Sequence, residues 1–99
     1  MAENINPKYK AAIIKAINYH FPDAKIILFG SRARGTNKEG ADVDVAIDLG
    51  ETADLGDMYR ARVTLEHLPI AVEVDLVDLH MIPQELKAEI LREGVIWKL

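Results

Sequence analysis

Hydrophobic and polar positions along the chain predict helices and strands in succession. Asn6 fits an N-cap and Pro7 a first helical position, and apolar residues then recur at helical spacing until Pro22 stops the pattern. Residues 25–29, with the sequence KIILF, form a short apolar run that is typical of a strand covered on both faces. The chain therefore begins with a predicted helix and a predicted strand.

Two later segments alternate between apolar and polar residues and predict further strands. Residues 42–49 place valine, isoleucine and leucine on one side and Asp42 and Asp44 on the other, and residues 71–79 place Asp75 on their polar side. Helical patterns follow each of these strands, and Gly94 fits the position after the last helix, before a short apolar tail that packs on the domain or adds a small strand. This order predicts a single domain over residues 1–99 of the α/β (α+β) class, with a small mixed three- to four-stranded sheet and helices on one face.

Composition narrows the function classes. Twelve Lys and Arg against sixteen Asp and Glu give a formal net charge of −4, which argues against a dedicated nucleic-acid or anionic-membrane binder. The absence of cysteine excludes disulfides, thiolate zinc sites and thiol catalysis. No apolar run approaches the roughly 20 residues of a membrane helix, and residues 1–7 lack the apolar region of a signal peptide. The expected location is the cytoplasm, with no membrane partner and no direct nucleic-acid partner.

Asp42 and Asp44 are the first candidate for chemistry. Two residues apart on a strand, their side chains leave the same face about 6–7 Å apart. Two ionised carboxylates at that distance repel by roughly 2–3 kcal/mol at an effective dielectric constant of about 20, and a divalent cation between them makes the interaction favourable. Mg²⁺ prefers such oxygen ligands, and Mn²⁺ accepts them. The alternative is a solvated strand face that carries aspartates without a ligand.

A third carboxylate, Asp75, lies on the polar side of the other alternating segment. If the two strands are neighbours, Asp75 comes beside Asp42 and Asp44. Three converging carboxylates form a two-metal site, in which one ion holds a triphosphate and the other activates an attacking hydroxyl. If they are not neighbours, Asp75 is a solvent-facing residue.

The turn at Gly30 and Ser31 ends an apolar strand and begins a polar segment. Glycine lets a backbone approach a ligand closely, and Ser31 can cap a following helical turn whose N–H groups bind an anion. The alternative is a tight turn with a serine cap and no ligand. Arg32 and Arg34 follow, and they either meet phosphates bidentately or pair with acidic side chains in solvent.

Together these motifs resemble the nucleotidyltransferase superfamily of DNA polymerase beta, and within it the minimal nucleotidyltransferases (MNT proteins). The matching segments are GSRARG at 30–35, ADVDVAID at 41–48, VEVDLVDL at 72–79 and the closing ELKAEILREGVIW. The resemblance covers essentially the whole chain and implies a polymerase beta-like nucleotidyltransferase core. One position departs from it, because Ala41 stands where the family often has serine. That loses one hydroxyl near the phosphates or metal but keeps all three carboxylates.

The resemblance also implies a role for each matching residue. Gly30 and Ser31 hold the β- and γ-phosphates of a nucleoside triphosphate, and Asp42 and Asp44 bind Mg²⁺. Asp75 completes the second metal site or helps to deprotonate the acceptor hydroxyl. The acceptor attacks the α-phosphorus in line and pyrophosphate leaves.

Two functions of different class follow from the resemblance. The first is a Mg²⁺-dependent enzyme that transfers AMP from ATP to a hydroxyl of a protein partner, the HEPN-domain RNase toxin to which such proteins are antitoxins. The second is a catalytically silent antitoxin that neutralises its toxin by binding alone. The intact Gly30–Ser31 turn and three aspartates favour the first. Modification of a small molecule is weaker, since 99 residues leave little room for an acceptor pocket, and a homo-oligomer stays open.

Overall fold

The first helix begins where the sequence predicts. In the computed structural model, which describes residues 3–99, helix α1 spans Pro7–His20. The Asn6 side-chain oxygen accepts a hydrogen bond of 2.8 Å from the Lys8 backbone N–H, and the proline occupies the first turn, where a missing N–H costs nothing. The buried side of α1 carries Ile13 and Ile17, which lie in the main core.

A four-stranded mixed sheet forms the centre of the molecule. The strands are β1 (Lys25–Phe29), β2 (Val43–Asp48), β3 (Val74–Asp78) and β4 (Val95–Lys98), and their spatial order is β3-β2-β1-β4. Strand β1 pairs antiparallel with both β2 and β4, whereas β2 and β3 are parallel and are connected through a helix. This confirms the predicted fold class and strand number.

Helices cover both faces of this sheet. The remaining helices are α2 (Ser31–Arg34), α3 (Leu55–Glu66), α4 (Gln84–Glu93) and a 3₁₀ turn (Leu79–Met81). On one face α1 and α3 pack over the valines and isoleucine of β2, and on the other Ile90 of α4 packs against Ile27 and Phe29. The expectation of helices on one face was therefore wrong, because β1 is apolar on both sides and each side requires cover. Within residues 3–99 no helix is both long and apolar enough to cross a bilayer.

The apolar tail adds the edge strand β4, one of the two outcomes left open by the sequence. Gly94 follows α4 as predicted, but its backbone is extended, with φ −67° and ψ 153°, rather than left-handed. The reason for glycine is space, since a Cβ would lie 2.5 Å from both Ile27 Cγ2 and the Ile90 carbonyl oxygen. The end of α4 is thereby packed directly on β1.

Candidate active site

Strand register brings two of the predicted carboxylates together. In the parallel pair β2–β3, Asp44 lies directly beside Asp75, and in the antiparallel pair β1–β2 it lies opposite Phe29, the residue before Gly30. Residues paired in register on neighbouring strands point to the same face. The side chains of Asp44 and Asp75 therefore leave the sheet together, at the end where the glycine turn begins.

The surroundings of Asp44 shift the pKa of its carboxyl group. It is partly buried, while Asp42, just before β2, and Asp75 are exposed. Burial raises the pKa of the Asp44 carboxyl above its ordinary value, the negative charges of Asp75 and Asp42 raise it further, and the Arg34 guanidinium partly opposes them. The four charges therefore share one local field, in which a bound cation is favourable.

Gly30 allows the turn after β1 to lie against the Asp44 carboxylate. Its φ of +77° lies in the region that favours glycine, and a Cβ at this position would stand 2.5 Å from Asp44 Oδ2. No other residue fits without displacing the carboxylate. The glycine backbone therefore packs directly against the Asp44 carboxylate.

Ser31 is the first residue of α2, and not its cap. Gly30 occupies the N-cap position and no side chain caps the helix, so the predicted serine cap was wrong. The first N–H groups of a helix have no helical carbonyl partner, which here leaves those of Ser31 and Arg32 at the turn. These two donors therefore follow directly after the end of β1.

Arg32 faces the protein interior. It is 8% exposed, and its Nε and Nη2 donate to the Ala41 carbonyl at 2.9 and 2.8 Å while Nη1 donates to the Asn4 carbonyl at 2.9 Å. The guanidinium therefore ties the glycine turn to the residue that precedes Asp42. The helical pattern carried a signal for this, since residues two apart on a helix do not face the same ligand.

Arg34 is the arginine whose positive charge acts on Asp44. Its side chain is 43% exposed and its Nη1 donates to Glu93 Oε1 of α4 at 3.3 Å. The positive charge of Arg34 partly opposes the rise in the Asp44 pKa. Sequence reasoning paired Arg34 with an unspecified acid or phosphate, and did not find Glu93, which lies 59 residues away in the chain.

The donor set of Asp42, Asp44 and Asp75 fits a hard divalent cation. All three offer carboxylate oxygens, the ligands that Mg²⁺ and Mn²⁺ take in proteins, and the Gly30 backbone lies close against Asp44. Among residues 3–99, no three potential ligands are already drawn close enough to hold a metal ion by themselves. A bound Mg²⁺ would therefore need water and phosphate oxygens to complete its shell, as it commonly does in proteins.

Comparison with known proteins places the chain in a family. The polymerase beta nucleotidyltransferase family matches residues 11–97. The protein adenylyltransferase MntA of Thermococcus cleftensis is 33% identical over 81 residues, which are 82% of this chain and 81% of that protein.

Solved structures agree with that assignment. A crystal structure of a toxin–antitoxin complex with AMP-PNP is 28% identical, with a TM-score of 0.75 over 91% of this chain and 73% of the other. A tri-AMPylated Shewanella oneidensis HEPN toxin in complex with MNT antitoxin provides a second match, 25% identical with a TM-score of 0.69 over 93% and 71% of the two chains. The match over residues 11–97 includes the Gly30 turn and all three aspartates, so the prediction of a nucleotidyltransferase is confirmed. The chain belongs to the polymerase beta nucleotidyltransferase family of enzymes.

Proposed function

We propose that this enzyme transfers AMP from ATP, with Mg²⁺, to a hydroxyl of a HEPN-type RNase toxin, and that it thereby acts as an antitoxin. The observation that carries the proposal is the pairing of Asp44 with Asp75 against the Gly30 turn. The adenylyltransferase relative and the AMPylated HEPN toxin among the structural neighbours support the choice of AMP and of a protein acceptor.

Each site residue then has a role. Asp42, Asp44 and Asp75 would hold Mg²⁺ or Mn²⁺, which when bound neutralises phosphate charge and lowers the pKa of the attacking hydroxyl. Gly30 and Ser31 hold the β- and γ-phosphates through backbone N–H groups and the serine hydroxyl. Arg34 contributes the positive charge. Arg32 positions the turn and does not contact the nucleotide, because its donors are bonded to backbone carbonyls.

The proposed reaction is an in-line displacement at the α-phosphorus of ATP. The acceptor oxygen forms a bond to the α-phosphorus as the bond from that phosphorus to the bridging oxygen breaks, and pyrophosphate leaves on the opposite side. Asp75, the exposed carboxylate beside Asp44, accepts the hydroxyl proton. The product is an AMP ester of the acceptor side chain.

The exposure of the site favours a protein acceptor over a small molecule. Asp42 and Asp75 are open to solvent. A cavity of about 550 Å³ between α1 and α3 and one of about 510 Å³ along residues 65–74 are lined by none of the three aspartates. A partner that carries its own acceptor surface can reach the carboxylates without entering a pocket.

The test uses the protein together with its HEPN-domain partner, identified from the neighbouring reading frame. With α-labelled ATP and Mg²⁺ the partner should gain label and pyrophosphate should be released, whereas γ-labelled ATP should leave no label. Asp44→Asn should abolish labelling, and Asp23→Asn, a change of an exposed carboxylate outside the site, should preserve it.

Other results would reject the proposal. Label retained from the γ-position would indicate a kinase. If no label appears, yet Asp42→Asn and Asp44→Asn variants still bind the partner and still silence its RNase activity, the chain is an antitoxin that acts by binding alone.

A further inference from the structure

The end of helix α4 is fixed beside the candidate site. Gly94 packs against Ile27 of β1 so closely that no Cβ fits, and this holds the last residue of the helix, Glu93, at the edge of the site. From there Glu93 Oε1 accepts the hydrogen bond of 3.3 Å from Arg34 Nη1. Helix α2, which follows the Gly30 turn, and helix α4 are therefore joined by one charge-assisted hydrogen bond.

This contact adds little to the stability of the fold. The Arg34 and Glu93 side chains are 43% and 37% exposed, and ion pairs in such positions contribute little to stability because solvent screens them. Glu93 also lies 3.6 Å from the more exposed Arg92, so its charge is shared. Within residues 3–99, Arg34 uses only Nη1 in a side-chain hydrogen bond, which leaves its Nε and Nη2 donors for another acceptor.

We propose that Glu93 is a positioning residue that holds the Arg34 guanidinium at the short helix after the Gly30 turn, with the remaining donors presented to the nucleotide phosphates. The inference rests on the proposed function, because it requires a triphosphate at this site. An arginine side chain has many rotamers, and one that is ordered in advance loses less conformational entropy on binding. A single contact through Nη1 restricts the side chain while keeping its other donors available.

The test measures the ATP affinity of the full chain in Mg²⁺ by calorimetry. Glu93→Ala should weaken ATP binding about two- to fivefold, the range of an exposed ion pair, and Arg34→Ala should weaken it more. Glu89→Ala, one turn earlier on α4 and without an ion pair among the described residues, should leave it unchanged. With partner present, Glu93→Ala should raise the KM for ATP and leave kcat near its original value.

Two further measurements separate positioning from a structural role. In an Arg34→Ala background the Glu93→Ala change should have no additional effect on ATP affinity, and Glu93→Gln, which still accepts a hydrogen bond, should recover part of the loss. A similar loss in both backgrounds, or an unchanged affinity for Glu93→Ala, would overturn this inference alone. Absence of ATP binding by the unaltered protein would overturn the nucleotide site and this inference together.

Discussion

Two aspartates on β2 show how neighbours decide the behaviour of one side-chain type. The pKa of Asp44 is raised by burial and by the charges of Asp75 and Asp42. The pKa of Asp48, four residues on, is lowered chiefly because the His80 Nε2–H donates to its Oδ1 at 2.7 Å. A bound cation would neutralise the like charges around Asp44, whereas the Asp48 carboxylate is already hydrogen-bonded to His80.

The direction of the Asp44 shift predicts a gain in stability without metal. A carboxyl whose pKa is higher in the folded state disfavours folding when it is ionised, and this cost is relieved as pH falls through that raised pKa. Asp44→Asn removes the charge, so at pH 7 in EDTA it should raise the free energy of unfolding by roughly 0.5–1 kcal/mol after allowance for solvent screening. The advantage should shrink in acid.

Thermal unfolding with and without Mg²⁺ measures this prediction. The unaltered protein should be stabilised by Mg²⁺, by about 2.7 kcal/mol at a hundred times the dissociation constant, and Asp44→Asn should lose that response. A variant that melts lower in EDTA and keeps its response to Mg²⁺ would make Asp44 a structural residue.

The two arginines of the glycine turn should differ sharply when each is changed to lysine. Lysine cannot reproduce the three bonds that Arg32 makes to two carbonyls, and buried polar groups left without partners cost about 1–3 kcal/mol each. Arg32→Lys should therefore lower the melting temperature, while Arg34→Lys, at an exposed position, should leave it nearly unchanged. Equal melting temperatures for the two variants would contradict the structural role of Arg32.

At the level of elements, the Asp48–His80 contact joins the end of β2 to the 3₁₀ turn after β3. Because the Asp48 pKa is lowered, its contribution is complete above the unfolded pKa, near 4, and is lost as pH falls through the folded value. Asp48→Asn should cost roughly 0.5–1 kcal/mol at pH 7 and progressively less in acid. Urea unfolding at several pH values checks this, and a pH-independent difference would show that the charge of Asp48 is not involved.

Local patterns were sufficient to predict most elements and to single out the two aspartates that the strands bring together. Asn6 and Pro7 mark a helix start by chemistry that acts within one turn, and strict alternation placed Asp44 and Asp75 on polar strand faces. The sequence alone could not establish that those two strands are neighbours, because strand order depends on contacts between residues that are distant in the chain. The register Asp44–Asp75 shows that they are neighbours.

What the sequence missed depends on three-dimensional packing. The face that α4 covers is set by the side of β1 left open by α1 and α3, which no periodicity within α4 encodes. Helical spacing separates Arg32 from Arg34, but because a guanidinium is polar wherever it points, the pattern does not show which of the two is buried. Ala41 illustrates the same limit: Arg32 binds its backbone carbonyl, a contact that does not depend on the missing serine hydroxyl.

Across the whole molecule, negative charge exceeds positive charge, and part of the excess lies at the candidate site. The chain has a net charge of −4. Asp44 and Asp75 lie side by side at one end of the sheet, whereas Asp48 lies at the other end of β2, opposite Lys25. Arg34 is the guanidinium that acts on Asp44, and it also contacts an acid, Glu93. The triphosphate of a nucleotide would therefore be repelled by these carboxylates, and a cation bound between them would remove the repulsion.

This charge distribution predicts that ATP and Mg²⁺ bind in a strongly coupled manner. Removal of Mg²⁺ with EDTA should weaken ATP binding by at least about tenfold, and linkage requires ATP to strengthen metal binding by the same factor. Added salt should partly restore metal-free ATP binding, because it screens the repulsion between the phosphates and the aspartates. Calorimetric titrations of the unaltered protein and of Asp44→Asn, in which the coupling should fall, measure both effects. Equal ATP affinity in EDTA and in Mg²⁺ would mean that the three aspartates do not hold a metal ion against the phosphates.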